Sequence, residues 1–298
     1  MAELILDYFN GQDPFENHRD EKTILSLVQT HDEENISSFL ERNSNWVFLY
    51  HLKRERENLL SVVNFDKNDS VLEIGAQCGA LSSAIVNKVK ELDCVELSKT
   101  HSEINFERNK DKDSLRIFIG DFSTVCPHLN KKYDKIFLVG SLAYASVYVK
   151  GEDPQFEILK LCKSLLKDNG EIYVAIENKY GMKYFNGAKE DHTKNTFESI
   201  EGYQADNYKT FSNAQLRNLM KNAGFSEVFF YYPLPDYKFA NVIFSEEYLP
   251  GDGMIKNTAH DLETGRTIIF SEDKALTEAA SSDMFEVFAN SYFIRGRK

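Results

Sequence analysis

Residues 71–82 combine a buried strand, an acidic strand end, a turn with two glycines and the start of a helix. Glu73 precedes this turn, and Gly75 and Gly79 lie within it. Glycine allows the backbone to turn sharply and to approach a ligand closely. A second acid, Glu96, lies 17 residues after Gly79, where a carboxylate can accept both hydroxyls of a ribose. The segment therefore predicts a site for an adenosine-containing cofactor.

The residues of this turn also indicate which cofactor it binds. A dinucleotide fingerprint requires G-x-G-x-x-G, but Gln77 and Ala80 stand at two of its glycine positions. The Glu73 carboxylate would repel a pyrophosphate, whereas it would attract the positively charged amino group of S-adenosylmethionine. We therefore predict S-adenosylmethionine as the cofactor.

Two further strand ends complete the predicted cofactor site. Asp121 can accept a hydrogen bond from the exocyclic amine of adenine, and Phe122 can flank its ring. An Asx turn explains Asp121 equally well on its own. Gly140 and Ser141 are expected under the methionine portion, because open α/β sheets bind ligands at the carboxyl edge. The predicted cofactor-binding residues are Glu73, Gly75, Ala76, Gln77, Gly79, Glu96, Leu97, Asp121, Phe122, Gly140 and Ser141.

The order of predicted elements after residue 69 is that of a doubly wound α/β sheet, in which helices separate the strands. The predicted strands lie near 70–75, 92–97, 115–120, 133–140, 171–177, 227–232 and 291–295. Residues 1–62 are predicted to form an N-terminal helical cap, with one helix that the capping box Thr30-His31-Asp32-Glu33 opens and that runs through Phe39 and Leu40, and a second over 46–63. The remaining residues, 63–298, are predicted to form the cofactor-binding domain.

Four motifs together resemble those of the class I S-adenosylmethionine-dependent methyltransferases. They are Glu73-Ile74-Gly75 with Gly79, Cys94-Val95-Glu96-Leu97-Ser98, Gly120-Asp121 and Tyr133-Asp134. This resemblance covers roughly residues 60–298. It implies a Rossmann-like α/β fold with a seven-stranded sheet whose last strand is antiparallel. Gln77 departs from the family pattern, which has a glycine at this position.

Several later segments resemble a bacterial methyltransferase group found with cell-surface polysaccharide glycosyltransferases. These segments are 175–184, 190–192, 200–203 and 235–239. The activated methyl group of the cofactor is expected to be attacked by an oxygen or nitrogen acceptor, and the resemblance implies a sugar or nucleotide-linked sugar hydroxyl as the preferred acceptor. We expect a small-molecule or saccharide acceptor and, as a protein partner, either a second copy of the chain or a glycosyltransferase.

Two irregular segments, 178–211 and 233–285, interrupt the strand and helix order and are predicted to lie on the acceptor side. His192 is the predicted general base and Glu177 the second candidate, although a histidine in a polar loop is often merely solvated. Aromatic side chains in the first segment can stack on sugar faces or fill a small core. The predicted acceptor-binding residues are Asn178, Tyr180, Tyr184, Glu201 and Tyr203.

Composition narrows the function further. A formal net charge of −12 opposes binding of nucleic acid. No apolar run has the length of a membrane span, and the four cysteines form no C-x-x-C pair, so we expect a cytoplasmic protein without a membrane span, disulfide framework or metal site. Two alternatives to the sugar methyltransferase stay open. One is a small-molecule or peptide methyltransferase of a secondary-metabolite pathway, and the other is a catalytically silent methyltransferase-like subunit, which Gln77 suggests.

Overall fold

The computed structural model describes residues 1–191, 193–203, 208–256 and 266–298. Within these ranges, nine strands form one mixed sheet of order β1-β4-β3-β2-β5-β6-β9-β7-β8. The strands are β1 (Glu3–Ile5), β2 (Ser70–Ile74), β3 (Glu91–Glu96), β4 (Leu115–Ile119), β5 (Tyr133–Val139), β6 (Leu166–Glu177), β7 (Ser226–Leu234), β8 (Val242–Ser245) and β9 (Ser291–Arg297).

Seven of these strands have the order β4-β3-β2-β5-β6-β9-β7, and β9 is antiparallel to both of its neighbours. The predicted antiparallel last strand is therefore confirmed. The predicted total of seven strands is wrong for the whole sheet, because β1 and β8 extend it at the two edges. Edge strands of three and four residues are too short for an alternating pattern to identify them in a sequence.

The helices connect and cover these strands. The α-helices are α1 (Arg19–Thr30), α2 (Glu33–Arg42), α3 (Trp46–Leu52), α4 (Ser82–Ile85), α5 (Lys99–Asn109), α6 (Phe122–Val125), α7 (Ala145–Tyr148), α8 (Pro154–Leu165), α9 (Met182–Phe185), α10 (Glu198–Glu201), α11 (Asn213–Asn222), α12 (Glu272–Ser281) and α13 (Phe285–Phe288). Three 3-10 helices span Arg54–Val62, Cys126–His128 and Leu142–Tyr144. Among the described helices, none has the length and apolar character needed to cross a membrane.

Both faces of the sheet carry apolar cores. Consecutive residues of β2 belong to different clusters, since Val71 packs with Leu59 and Ile85, whereas Leu72 packs with Ile158. This burial on both faces explains the continuous apolar runs of the central strands. A third apolar cluster joins α1, α3 and α5 beside the carboxyl edge of the sheet.

The N-terminal region differs from the predicted helical cap in two ways. It contributes β1, which pairs in parallel with β4. The helix predicted over 46–63 is interrupted at Lys53, where α3 ends and a 3-10 helix follows. Lys53 has an extended backbone conformation, so an α-helix cannot continue through it.

The segment 178–211 contains the short helices α9 and α10. Three of its aromatic side chains, Tyr184, Tyr208 and Phe211, are buried. These rings therefore fill a core and do not form an open aromatic surface. The predicted base His192 lies outside the described residues.

Candidate functional site

The turn after β2 is held by the acid at the end of β3. Gly75 and Gly79 have φ angles of 77° and 76°, and Gln77 between them has a φ of 48°, which is uncommon for a residue with a side chain. The Gln77 amide donates a hydrogen bond to Glu96 Oε2 at 2.8 Å. Glu96 Oε1 accepts the Ser98 amide at 3.0 Å. The Glu96 carboxylate therefore fixes the turn in which Gln77 replaces a glycine.

The space around this turn requires glycine at its two ends. A Cβ atom on Gly79 would lie 2.2 Å from Asn105 Oδ1. A Cβ atom on Gly75 would lie 3.1 Å from both Ser141 Cβ and the Tyr148 hydroxyl. Ser141 also donates a hydrogen bond to the last carbonyl of β2 at 2.8 Å. The predicted residues Gly75 and Ser141 therefore lie together.

A cavity of about 390 Å³ opens at the carboxyl ends of the central strands. Four predicted cofactor residues line it, namely Gln77, Glu96, Leu97 and Gly140. A neighbouring cavity of about 700 Å³ shares Leu97 with it and extends to Asp121. The structure therefore brings these five predicted residues to one continuous region of the sheet edge.

Asp121 and Phe122 have structural roles at the start of α6. The Asp121 carboxylate accepts hydrogen bonds from the Ser123 hydroxyl at 2.5 Å and the Thr124 amide at 2.9 Å. These bonds cap α6, as the alternative of an Asx turn predicts. Phe122 is fully buried within the core, so its ring does not flank a ligand in this structure. The Phe122 side chain packs into this core, and a sequence motif does not reveal which way a side chain points.

Glu73 faces a small pocket under the glycine turn, together with Gly75 and Ala76. Its Oε2 accepts a hydrogen bond from the Ser82 hydroxyl at 2.5 Å. Burial raises the pKa of Glu73 to about 7. The fraction of Glu73 that is ionised therefore changes with pH around neutrality.

Sequence reasoning missed Arg56, which lines the same pocket as Glu73 and Gly75. Only 5% of Arg56 is exposed, and its guanidinium lies 4.0 Å from the centre of the Tyr50 ring. Arg56 Nε has no hydrogen-bond partner within the described residues. Since Arg54 stands two positions earlier, the sequence gives no signal that distinguishes the buried arginine from its exposed neighbour.

Sequence reasoning also missed the N-terminal strap, which we define as residues 9–16. The two carboxylate oxygens of Asp13 accept hydrogen bonds from the Ser98 hydroxyl at 2.8 Å and the Thr100 amide at 2.7 Å. The Phe15 ring stacks on His101 with 4.1 Å between ring centres. These contacts hold the strap over the two cavities, and no periodic pattern marks such a loop in the sequence.

Four charged or polar side chains meet between β6 and the cofactor cavity. Lys238 Nζ lies 2.6 Å from Glu177 Oε1 and also pairs with Asp191. The Tyr237 hydroxyl donates a hydrogen bond to Glu177 at 3.2 Å. Lys238, Tyr237 and Asp191 line the cofactor cavity, and Glu177 lies behind them. Glu177 is therefore placed to orient Lys238 and Tyr237.

The protonation states in this group differ. Burial raises the pKa of Glu177 to about 7. Burial alone would also raise the pKa of Asp191, but the ammonium groups of Lys238 and Lys183 hold it well below its usual range. The pKa of Lys238 is well above its ordinary value because its carboxylate neighbours outweigh the effect of burial. Asp191 and Lys238 therefore form a charged pair at the cavity wall.

Two of the predicted acceptor-binding residues support the local structure. Asn178 is buried, and its amide donates hydrogen bonds to the carbonyls of Val287 and Ala289, each at 2.7 Å. Tyr184 is also fully buried. These contacts connect the segment after β6 to the chain before β9.

The other predicted acceptor-binding residues lie in varied surroundings. Tyr180 is half-buried, with the Lys179 ammonium 5.4 Å from its ring centre, and Glu201 is exposed. The Tyr203 hydroxyl lies 2.5 Å from the Thr210 hydroxyl and donates a hydrogen bond to Glu190 at 3.4 Å. Their predicted role in acceptor binding stays a prediction.

Part of the chain is similar in sequence to known methyltransferases. No family model matches the chain. It is 27% identical over 115 residues to ribosomal RNA small subunit methyltransferase A of Borreliella afzelii, and this match covers 39% of the chain and 40% of the relative. It is 25% identical over 198 residues to the protein of that name from Fusobacterium nucleatum, covering 56% of the chain and 71% of the relative.

A solved structure agrees over most of the chain. Phosphoethanolamine N-methyltransferase 2 of Haemonchus contortus, in complex with S-adenosyl-L-methionine, matches with a TM-score of 0.51 and 13% identity. This match covers 92% of the chain and 60% of that protein. Together with the strand order, it shows that the chain has an α/β Rossmann-like methyltransferase fold.

Proposed function

We propose that the chain transfers a methyl group from S-adenosylmethionine to an oxygen or nitrogen acceptor. The observation that carries this proposal is the position of Glu96. Its carboxylate fixes the glycine turn through Gln77 and also lines the cavity at the end of β3. A carboxylate at this position in a doubly wound sheet is suited to accept the hydroxyls of a ribose.

The two ends of the cofactor would contact different groups. The adenine would lie beside Leu97, toward the cavity that extends to Asp121. The amino group of the methionine portion would face Glu73, and its carboxylate would pair with Arg56. Both side chains line the pocket beneath the turn, which has a volume of only about 10 Å³ and would have to widen to admit these groups. A carboxylate paired with a guanidinium forms charge-assisted hydrogen bonds. Each charged group of the methionine portion would thus face a side chain of opposite charge.

S-adenosylmethionine supplies a methyl group activated by the positive charge on sulfur. The acceptor would attack the methyl carbon in line while the carbon–sulfur bond breaks and its electron pair stays on sulfur. The reaction requires accurate placement, which is worth about 7–11 kcal/mol in well-oriented systems, whereas a base contributes about 10²- to 10⁴-fold. Trp46, Asp191 and Lys238 would position the acceptor, since they line both the cofactor cavity and the cavity beside it.

The proton of the acceptor requires a base. His192 stays the predicted base because it lies beside Glu190 and Asp191 in the sequence of the aromatic segment 178–211. Glu177 has a pKa of about 7, which suits proton transfer near neutral pH. It contacts Lys238 and Tyr237, so we assign it first to positioning those two side chains.

The proposed acceptor is a sugar or nucleotide-linked sugar. Trp46 and Phe239 meet edge to face, with 5.8 Å between ring centres, and aromatic rings provide an apolar surface for a sugar face. The net charge of −12 opposes a nucleic acid acceptor. The alternative of a catalytically silent subunit stays open, and cofactor binding gives the first test of it.

The test is thermal unfolding with S-adenosylhomocysteine and with NAD. A ligand at about 100 times its dissociation constant stabilises a protein by about 2.7 kcal/mol, which raises the melting temperature by several degrees. We expect this rise with S-adenosylhomocysteine and none with NAD. Equal shifts, or no shift with either compound, would contradict the proposal.

A further inference from the structure

Two histidines and a cysteine from separate elements meet beside the glycine turn. His51 lies in the last turn of α3, Cys78 follows Gln77 in the glycine turn, and His101 lies in the first turn of α5. One ring nitrogen of each histidine and the sulfur of Cys78 all lie within 4.8 Å of one another. We call these three side chains the His-Cys-His cluster.

The cluster is closed off from solvent. Only 7% of His51 and 4% of His101 are exposed, and Cys78 is fully buried. His101 Nε2 has no hydrogen-bond partner within the described residues. Glu21 Oε1 lies 3.9 Å from it, which is too long for a hydrogen bond. A buried polar atom without a partner costs free energy, so the His101 ring has binding capacity that the protein itself does not use.

Hydrogen bonds to the backbone hold the three residues in place. The Arg108 guanidinium, from α5, donates hydrogen bonds to the carbonyl of His51 at 2.6 Å and to that of Cys78 at 3.1 Å. The His101 amide donates a hydrogen bond to the Ser98 hydroxyl at 3.1 Å. The backbone positions of all three residues are therefore fixed by contacts that do not involve a metal ion.

The cluster has the ligand types that zinc prefers in proteins, imidazole nitrogen and cysteine sulfur, which bind it at about 2.0–2.3 Å. In a tetrahedral site such ligand atoms are about 3.3–3.6 Å apart, so the widest pair of the cluster would have to close by about 1 Å. Rotation of the side chains can supply this change. Burial holds the pKa of His51 well below its ordinary value, so its ring is neutral, as a metal ligand must be.

The charged groups near the cluster balance one another. They are the carboxylates of Glu21 and Glu96 and the guanidinium groups of Arg56 and Arg108. A zinc ion bound to a cysteine thiolate adds only one positive charge to this balance. A carboxylate beside a metal-binding histidine orients its ring and strengthens the bond to the metal, and Glu21 has this position beside His101.

We propose that the His-Cys-His cluster binds one zinc ion, with His51, Cys78 and His101 as three of its ligands. On binding, the S–H bond of Cys78 breaks, the sulfur electron pair forms the bond to zinc, and the proton passes to water. Glu21 is a positioning residue for His101. The ion would join α3 and α5 to the glycine turn. This inference goes beyond methyl transfer and does not depend on it.

The three ligands are separated by 27 and 23 residues in the chain. Zinc motifs are recognised in a sequence by pairs of ligands two to five residues apart. The expectation of a protein without a metal site therefore follows from the sequence pattern, and the cluster becomes visible only once α3, the glycine turn and α5 are folded together.

The experiment uses the chain without an affinity tag, stripped of metal by a chelator. Equilibrium dialysis at micromolar free zinc, followed by metal analysis, should give one zinc ion per chain. Cobalt then replaces zinc as a spectroscopic probe, because a thiolate ligand gives a charge-transfer band in the near ultraviolet and tetrahedral cobalt absorbs strongly in the visible. Excess Mg²⁺ should not displace either ion, since it prefers oxygen ligands.

Cys78→Ala should abolish the charge-transfer band of the cobalt complex. Zinc affinity should fall by more than a hundredfold in Cys78→Ala, His51→Gln and His101→Gln, because each removes a ligand. Glu21→Gln should lower it by about 10- to 100-fold, as loss of an outer partner does, and should retain the band.

Two control variants should bind zinc as the unsubstituted protein does. Cys162→Ala removes another fully buried cysteine, and His128→Gln removes an exposed histidine. Circular dichroism compares the fold of every variant, and Cys78→Ser replaces Cys78→Ala if the latter does not fold.

An unsubstituted protein that takes up no zinc would overturn the inference, whatever the variants do. A cobalt complex without the charge-transfer band would also overturn it, because Cys78 is then not a ligand. Equal zinc affinity in Cys78→Ala and Cys162→Ala would show that the metal binds elsewhere on the protein.

Discussion

The Glu96 carboxylate accepts the Gln77 backbone amide at 2.8 Å, and this hydrogen bond joins the end of β3 to the turn after β2. Gln77 has a positive φ where the family pattern has glycine. Because the Glu96 carboxylate accepts a hydrogen bond from the Gln77 backbone amide, it stabilises this strained turn. The same carboxylate has lone pairs left for a ligand, because each of its oxygens can accept two hydrogen bonds.

Glu96→Ala should therefore affect both the turn and the cofactor. We expect the affinity for S-adenosylhomocysteine to fall by about 1.5–3 kcal/mol, because charge-assisted hydrogen bonds are lost. The affinity for methylthioadenosine, which has the ribose but no amino acid portion, should fall by a similar amount. Calorimetric titration measures both. Glu91→Ala, at the other end of β3, is the control and should bind both ligands normally.

Arg56→Met tests the opposite end of the ligand. Since the proposed partner of Arg56 is the carboxylate of the methionine portion, the affinity for S-adenosylhomocysteine should fall by about 1.5–3 kcal/mol. Methylthioadenosine lacks this carboxylate, so its affinity should stay the same. Calorimetric titration with both ligands separates loss of the contact to the ligand carboxylate from a general loss of binding.

The control for this prediction is Arg54→Met. Arg54 is two residues away, and 69% of its side chain is exposed, so its substitution should change neither affinity. Equal losses for both ligands in Arg56→Met would show that Arg56 supports the fold of the pocket and not the ligand carboxylate.

Asp13→Ala should open the N-terminal strap. The Asp13 side chain bonds Ser98 and Thr100 at the start of α5, and these hydrogen bonds also lower its pKa against the opposing effect of burial. Without them, we expect S-adenosylhomocysteine to dissociate about tenfold faster or more. Stopped-flow displacement measures this rate.

Asp7→Ala removes another aspartate side chain of the N-terminal region, which is exposed, and serves as the control. If dissociation from Asp13→Ala and Asp7→Ala is equally fast, the strap does not retain the ligand. The association rate gives further information, because a strap that must open for entry should slow association in the unsubstituted protein.

The central part of the fold and site is predictable from the sequence for a physical reason. Glycine turns and strand ends are local features, and parallel strands bring their carboxyl ends to the same edge of a sheet. Gln77, Glu96, Leu97 and Gly140 therefore meet in one cavity, as their positions at successive strand ends predict.

Features set by tertiary contacts are not predictable in this way. Arg56 is buried and Arg54 is exposed, although both belong to the same basic segment. The roles of Phe122 and Asn178 depend on which way their side chains point, and this is decided by packing. The edge strand β1 depends on pairing with β4, more than 100 residues later in the chain, which no short pattern encodes.

The final prediction concerns pH. The pKa of Glu73 is about 7 because the carboxyl group is buried, so its negative charge increases as the pH rises from 6 to 8. The affinity for S-adenosylhomocysteine should increase over this range, because the ionised carboxylate attracts the amino group of the ligand. Glu73→Gln should remove this increase, and methylthioadenosine, which has no amino group, should not show it. Calorimetry at several pH values measures these affinities.

Glu177 also has a pKa of about 7, so Glu177→Gln is the necessary control and should retain the increase. For the ligand-free protein, the quantity to measure is the free energy of unfolding, which should fall as the pH rises. Between pH 4.5 and about 7 the folded state holds the Glu73 proton more tightly than the unfolded state does, so the free energy of unfolding falls as the pH rises. Glu73→Gln should reduce this fall. A pH-independent affinity in the unsubstituted protein would show that Glu73 does not meet the amino group of the ligand.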